Sequence, residues 1–166
     1  MKSIKGLLLA VLTRIAIFGF CCACLAGGGC TGPIYEHSGS SSVSPYTAWH
    51  VTGELDGVAK AVDDNVSTAA VSKSYYLNHG LTVDLGKPCL FNMVVLDHGS
   101  NENGYCRRVG LWTSMDGRNF SYVYAAPGTR RVTTINWVTP VLARYIRIQA
   151  IMPGDRPWSI AEIYVR

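Results

Sequence analysis

Beyond residue 80 the apolar and polar positions fall into short alternating runs. Leu81, Val83 and Leu85 alternate with Thr82 and Asp84 until Gly86-Lys87-Pro88 interrupts them. Leu90–Leu96 forms a second apolar run, closed by Asp97, Gly99 and a polar loop. Val109–Ser114 is a third, stopped at Asp116-Gly117, and Phe120–Ala125 resumes from that turn. Val132–Val138, Arg144–Ala150 and Ile160–Val165 complete the series. Runs of this length, rich in Val, Ile, Tyr and Thr and bounded by Gly, Pro, Asn and Asp, predict antiparallel strands. Evenly spaced short strands predict an all-β sandwich or jelly roll. A short helix over Glu54–Val62 is the one exception that the periodicity allows.

The first thirty residues break this texture. Lys2, Lys5 and Arg14 are followed by an apolar stretch from Ile15 to Ala26 and then by Gly27-Gly28-Gly29. A basic start, an apolar run and small residues form the layout of an export signal. The segment ends at Cys30 and resembles a bacterial lipoprotein signal, although Gly27 stands where an aliphatic residue is usual. The resemblance implies lipidation of Cys30, with an ordinary cleaved signal as the alternative. The expected organisation is a signal over 1–29, an anchor Cys and Ser/Gly tether over 30–45, and a domain over 46–166. The expected location is the cell envelope, as a membrane-anchored lipoprotein, periplasmic or on the cell surface.

The leader also changes the charge. It holds three of the fifteen basic residues and none of the eleven acidic ones, so the remainder carries a net charge of about +1. The pairs Arg107-Arg108 and Arg130-Arg131 stand apart in sequence, so no continuous basic track for nucleic acid is expected. Two of the six cysteines, Cys89 and Cys106, lie beyond Cys30. Each begins a predicted strand, so in antiparallel neighbours they lie roughly 20 Å apart. A disulfide needs Cα atoms within about 7 Å. Two buried thiols are expected, with a Cys89–Cys106 bond as the alternative.

Catalytic signatures are lacking: there is no GxSxG, HExxH or P-loop. Asp63 and Asp64 are adjacent, and neighbours on an extended chain point opposite ways. The domain is therefore expected not to be an enzyme. The run Ala61-Val62-Asp63-Asp64-Asn65-Val66-Ser67-Thr68 packs oxygen donors into a short turn, as calcium requires, without EF-hand spacing. Read from its residues alone, it is an Asx turn closed by its own hydrogen bonds in preference to a calcium site.

Three segments in order bear on the family. They are AVDDNVST at 61–68, LTVDLGKP at 81–88, and the series VGLWTSMDGRNF at 109–120, ARYIRIQA at 143–150 and WSIAEIYV at 158–165. This ordered set resembles the discoidin family, also called the coagulation factor 5/8 type C domain, which includes the family 32 carbohydrate-binding modules. The resemblance covers roughly residues 50–166. It implies an eight-stranded, galactose-binding-like jelly-roll β-sandwich that binds ligands through loops at one end and is not itself catalytic.

The resemblance also implies a structural calcium site. Asp63, Asn65 and Thr68 match the family's Asp-Gly-Asp-x-x-Thr turn, with Asp64 in place of the Gly and Asn65 in place of the second Asp. Glu162 matches the Glu of the last strand, and the carbonyl of Ala161 is a further expected ligand. If the replaced Gly needs φ > 0, Asp64 inherits that requirement. Sugar-binding members continue after the turn with a Trp and a His, whereas here Thr68 is followed by Ala69, Ala70 and Val71. Tyr105-Cys106-Arg107 is similar to the Tyr-Pro-Arg of many bacterial members, and Arg107 offers a planar fork to a ligand oxygen. In the loop His98–Arg108, the candidates are His98, Asn101, Asn103, Tyr105 and Arg107. Tyr75 and Tyr76 are candidate stacking residues in another loop, and Trp158 either lines the site or packs beneath it. The expected function is non-catalytic recognition of carbohydrate or a cell-envelope glycan. The alternative is a protein-interaction or envelope-assembly module on the same fold.

Overall fold

A computed structural model describes residues 43–73 and 78–166. Among these residues eight strands form: β1 His50–Gly53, β2 Ala70–Val71, β3 Gly80–Asp97, β4 Arg108–Ser114, β5 Ser121–Pro127, β6 Val132–Met152, β7 Ser159–Ile160 and β8 Glu162–Val165. All strand pairs are antiparallel. The main sheet runs β1-β3-β6-β4-β5, β8 pairs with β3, and β2 pairs with β7. The fold is an all-β jelly-roll sandwich, as the alternation predicts. The helix expected over Glu54–Val62 shrinks to a 3-10 turn at Val58–Val62, entered through Gly57 at φ 66°.

The two longest strands turn one sheet into two layers. The first part of β3 pairs with β1 and with the last part of β6, from His50↔Asp84 to Gly80↔Gln149. Its second part pairs with the first part of β6 and with β8, for example Val94↔Ile135 and Val94↔Val165. Between these parts the register shifts twice. Leu85–Pro88 bulges from β3 between Asp84↔Tyr145 and Cys89↔Ala143. Trp137–Pro140 bulges from β6 between Phe91↔Val141 and Met93↔Asn136. A bulge bends its strand and tolerates a proline that lacks an N–H for the ladder. Pro88 and Pro140 therefore mark bends within continuous strands, where the sequence pattern reads strand ends.

The β3 bulge is pinned electrostatically. Arg144 donates from Nε to Asp84 Oδ1 at 2.8 Å and from Nη2 to Asp84 Oδ2 at 2.9 Å. Gly86 N also donates to Asp84 Oδ1 at 2.8 Å, and Gly86 sits at φ 78°. The Arg144 fork lowers the Asp84 carboxyl below its ordinary range.

The inward positions follow the two-residue period. Leu81, Val83, Ile146, Ile148 and Leu111 come from one layer, and Phe91, Val94, Leu96, Ile135 and Ile163 from the other. Each such buried side chain contributes roughly 1.5–3 kcal/mol relative to an exposed one. Cys89 and Cys106 are buried free thiols. Cys89 pairs with Ala143, whereas Cys106 lies two residues before the Arg108↔Met152 pair. Those β6 partners are nine residues apart, about 30 Å along a strand. The thiols therefore belong to opposite ends of the sandwich. Burial pushes the Cys106 thiol up to about 12.

Candidate functional site

At the end of the sandwich where β4 begins and β6 finishes, two connections meet. The loop following β3 turns through three backbone bonds: Asn101 N to His98 O, Gly104 N to Asn101 O, and Ser159 N to Gly104 O. Two glycines then clasp the Tyr105-Cys106 backbone. A Cβ on Gly154 would lie 2.0 Å from Tyr105 O, and one on Gly128 would lie 1.7 Å from Cys106 O. Only a residue without a side chain permits such close approach. Gly128 N also donates to Arg107 O at 3.0 Å. The segment 98–108 is thus fixed against its neighbours before any ligand arrives.

This clasp shapes a hollow of about 270 Å³ lined by Asn103, Tyr105, Arg107, Gly154, Asp155 and Arg156. Three of the residues singled out by sequence, Asn103, Tyr105 and Arg107, share this one concavity. Arg107 Nη2 donates to Asp155 Oδ1 at 2.6 Å, and both side chains are exposed. The pair raises the Arg107 guanidinium above its ordinary value and fixes the direction of its fork. Asn101 is exposed on the same loop but does not line the hollow. The Gly154-Asp155-Arg156 wall was missed by sequence reading. Its only local sign is the turn-forming Pro-Gly-Asp-Arg-Pro run at 153–157.

Two candidates are corrected. His98 is 1% exposed, and both ring nitrogens are engaged. Nδ1 lies 2.6 Å from Ser159 O, so it carries the proton, and Nε2 lies 2.9 Å from Thr133 Oγ1. Burial lowers its pKa below the ordinary 6.5. The ring supports the loop from beneath, with the Tyr105 ring centroid 6.4 Å away, and offers nothing to a ligand. The reason is parity: Val94 and Leu96 face inward, so His98 does too. Trp158 is 4% exposed and belongs to the core, so it packs beneath the sandwich end and does not line the hollow. Tyr75 and Tyr76, like Cys30, lie outside the described residues.

Beside this loop lies the acidic turn. Val66 O and the Ala161 Cβ both crowd the face of Gly99, so the turn, the β7–β8 junction and the loop are in contact. Thr68 Oγ1 donates to Asp63 Oδ2 at 2.8 Å, and Asn65 N donates to Asp63 Oδ1 at 3.1 Å. Asn65 N also donates to Glu162 Oε1 at 2.9 Å. Asp63, Asn65, Thr68 and Glu162 therefore form one cluster, next to buried Ala161. Asp64 sits at φ 60°, the left-handed conformation that the Gly-to-Asp replacement leaves to a residue with a Cβ.

Glu162 is 1% exposed, and among the described residues its Oε2 meets no hydrogen-bond donor. Burial pushes the carboxyl up to about 7, against the Asn65 N–H, and the neighbouring Asp63 charge pushes in the same direction as burial. The described residues contain no group of three or more His, Cys, Asp or Glu placed for a metal. The donors gathered here are two carboxylates with amide, hydroxyl and carbonyl oxygens. An oxygen-only set suits a hard cation and not zinc or copper.

The molecule is a jelly-roll β-sandwich domain with a preformed, loop-built hollow at one end. The chain belongs to the F5/8 type C domain family, whose pattern matches residues 38–163. It is similar to the family 32 carbohydrate-binding module of Clostridium perfringens NanJ, solved in complex with galactose. That match has a TM-score of 0.66 and 23% identity, and covers 75% of this chain and 97% of that one. The Clostridium perfringens module CpGH89CBM32-5, in complex with GalNAc-β-1,3-galactose, aligns with TM-score 0.67 and 21% identity over 75% and 99% of the two chains. The module CBM32-3 from a family 31 glycoside hydrolase of Clostridium perfringens aligns with TM-score 0.61 and 25% identity over 80% and 100%. No curated protein matches the chain.

Proposed function

We propose that this domain binds carbohydrate, without breaking a bond, in the hollow between the 98–108 loop and the 153–157 segment. The observation that carries the reading is the convergence of Asn103, Tyr105 and Arg107 on one pre-organised concavity. An amide, an aromatic ring and a guanidinium fork match the hydroxyl groups and C–H faces of a sugar. Because the loop is already fixed by backbone bonds and the glycine clasp, little ordering entropy is lost on binding. The galactose and GalNAc-galactose complexes of the similar modules support the same chemistry.

Calcium is part of this reading. Asp63, Asn65, Thr68, the Ala161 carbonyl and Glu162 would hold the ion, which would neutralise two carboxylates and brace the loop that packs on them. The uncompensated Glu162 Oε2 supports this assignment. The export signal and lipidated Cys30 complete the proposal, placing the domain on the cell envelope at the end of a Ser/Gly tether.

A glycan array probed with and without chelator tests the function. Binding to a defined glycan set, weakened by chelation, is expected. Absence of binding to every glycan, with and without calcium, would overturn it. One observation favours protein interaction as a second reading. At the opposite end, Leu90 and Leu142 are register partners exposed at 49% and 59%, and Met115 joins Leu142 around a second hollow. Capture of an envelope protein that is lost in Leu142→Ser, with no glycan bound, would establish that reading instead.

A further inference from the structure

The hollow carries more positive charge than recognition of a neutral sugar requires. Its lining includes two guanidinium groups, Arg107 and Arg156, and one carboxylate, Asp155. Asp155 is committed to Arg107 through the 2.6 Å bond. Arg156 is exposed and, among the described residues, forms no ion pair. The 128–131 segment brings further arginines to the same loop. Arg130 Nη2 approaches Glu102 Oε2 at 3.5 Å, and Arg131 N donates to Glu102 O, so the second arginine pair reaches the same loop. Segments 98–108, 128–131 and 153–157 together hold five arginines and two acidic residues, in a chain that beyond its leader is nearly neutral. The arginine pairs are separate in sequence and gathered in space.

A guanidinium is a planar fork that grips a carboxylate with two parallel bonds, and its weak hydration favours such pairs. A neutral hydroxyl accepts a bond from the fork but brings a single oxygen and no charge to pair with it. The geometry points to an acidic sugar, one bearing a ring carboxylate such as a uronate or a sialic acid, as the ligand of this hollow. Arg156 receives the carboxylate. Arg107, oriented by Asp155, donates to a neighbouring ring oxygen, and Asn103 and Tyr105 engage the remainder of the sugar. This inference rests on the carbohydrate-binding reading of the same hollow.

Calorimetric titration of the full-length protein with trigalacturonate, its methyl ester, a neutral galactose oligomer and duplex DNA at about 0.15 M salt tests it. The acid is expected to bind at least about tenfold more tightly than its ester, which keeps the stereochemistry and removes the charge. In Arg156→Gln that ratio should fall towards one, and Arg156→Lys, which keeps charge but loses the fork, should restore only part of it. Equal binding of acid and ester, or of the galactose oligomer alone, overturns the acidic-sugar inference and leaves carbohydrate binding standing. An acid preference that survives Arg156→Gln, or DNA bound as tightly as the acid, also overturns it. Failure of every glycan to bind removes both the inference and the reading beneath it.

Discussion

At the residue scale, the site depends on positions where a side chain is excluded or hidden. Gly154 and Gly128 leave no room for a Cβ beside the Tyr105-Cys106 backbone. Gly154→Ala is expected to cost about 1–3 kcal/mol of stability, the usual range for over-packing, because the obstructing atom is backbone and cannot rotate away. It should also weaken glycan binding, as the 98–108 segment shifts. Denaturant titration and a binding isotherm on the same variant check both effects. The two thiols make a simpler case. Cys89 and Cys106 should resist alkylation in the native protein at pH 8 and react once it is unfolded, and reductant should leave the melting temperature unchanged. A drop in melting temperature on reduction would contradict the free-thiol description.

The same scale sets a pH dependence with two opposing limbs. The His98 pKa is depressed by burial, so the unfolded chain binds more protons than the folded one below its ordinary value of 6.5. Its contribution to stability is present above pH 6.5 and is lost as the pH falls through the folded value. The Glu162 pKa is raised from 4.5 to about 7, so its contribution is fully present below pH 4.5 and is lost as the pH rises through 7. In chelator, stability should therefore decline on the alkaline side of this window. Calcium should remove that decline, because the ion favours the charged carboxylate. Thermal melts across pH 4.5–8 with and without calcium, repeated on Glu162→Gln, check the sign. A chelator effect that is the same at every pH would count against Glu162 as a ligand.

At the element scale, β3 and β6 organise the molecule by bending. Their paired bulges pass each strand from one layer to the other, and the strain falls on a few positions. Gly86 at φ 78° is one of them, and its Cβ would lie 3.1 Å from Ala48 O. Gly86→Val should cost about 2 kcal/mol or more, since a β-branched residue is poorly accommodated at positive φ. Val138, 94% exposed within the other bulge, should accept Ser with a change within about 0.5 kcal/mol. Chemical denaturation of the two variants makes the comparison. The individual strand runs were legible in sequence because the two-residue period is local. The continuity of β3 and β6 was not, because Gly86-Lys87-Pro88 and Pro140 carry the same turn chemistry whether a strand ends or bulges. His98 shows the reverse failure. Its inward parity from Val94 and Leu96 is in the sequence, but its place at the head of a polar loop makes it a ligand candidate. Its partners, Thr133 and the Ser159 carbonyl, arrive from distant parts of the chain.

At the scale of the whole molecule, the sandwich is polarised. One end holds the acidic turn, the pinned loop and the arginine-lined hollow, and the other holds Leu90, Leu142 and Met115 around a second concavity. Half of the hollow was legible in the His98–Arg108 loop. The half supplied by Gly154, Asp155 and Arg156 was not, because only tertiary contact brings it against Tyr105. The separation of the two ends makes the functional claim local and therefore testable by position. The most direct measurement is titration of the labelled protein with a bound glycan, followed residue by residue by nuclear magnetic resonance. The account predicts shifts concentrated at Asn103, Tyr105, Arg107 and Gly154–Arg156, with the Leu90–Leu142 end unmoved. Shifts confined to the opposite end, or none at saturating glycan, would contradict it.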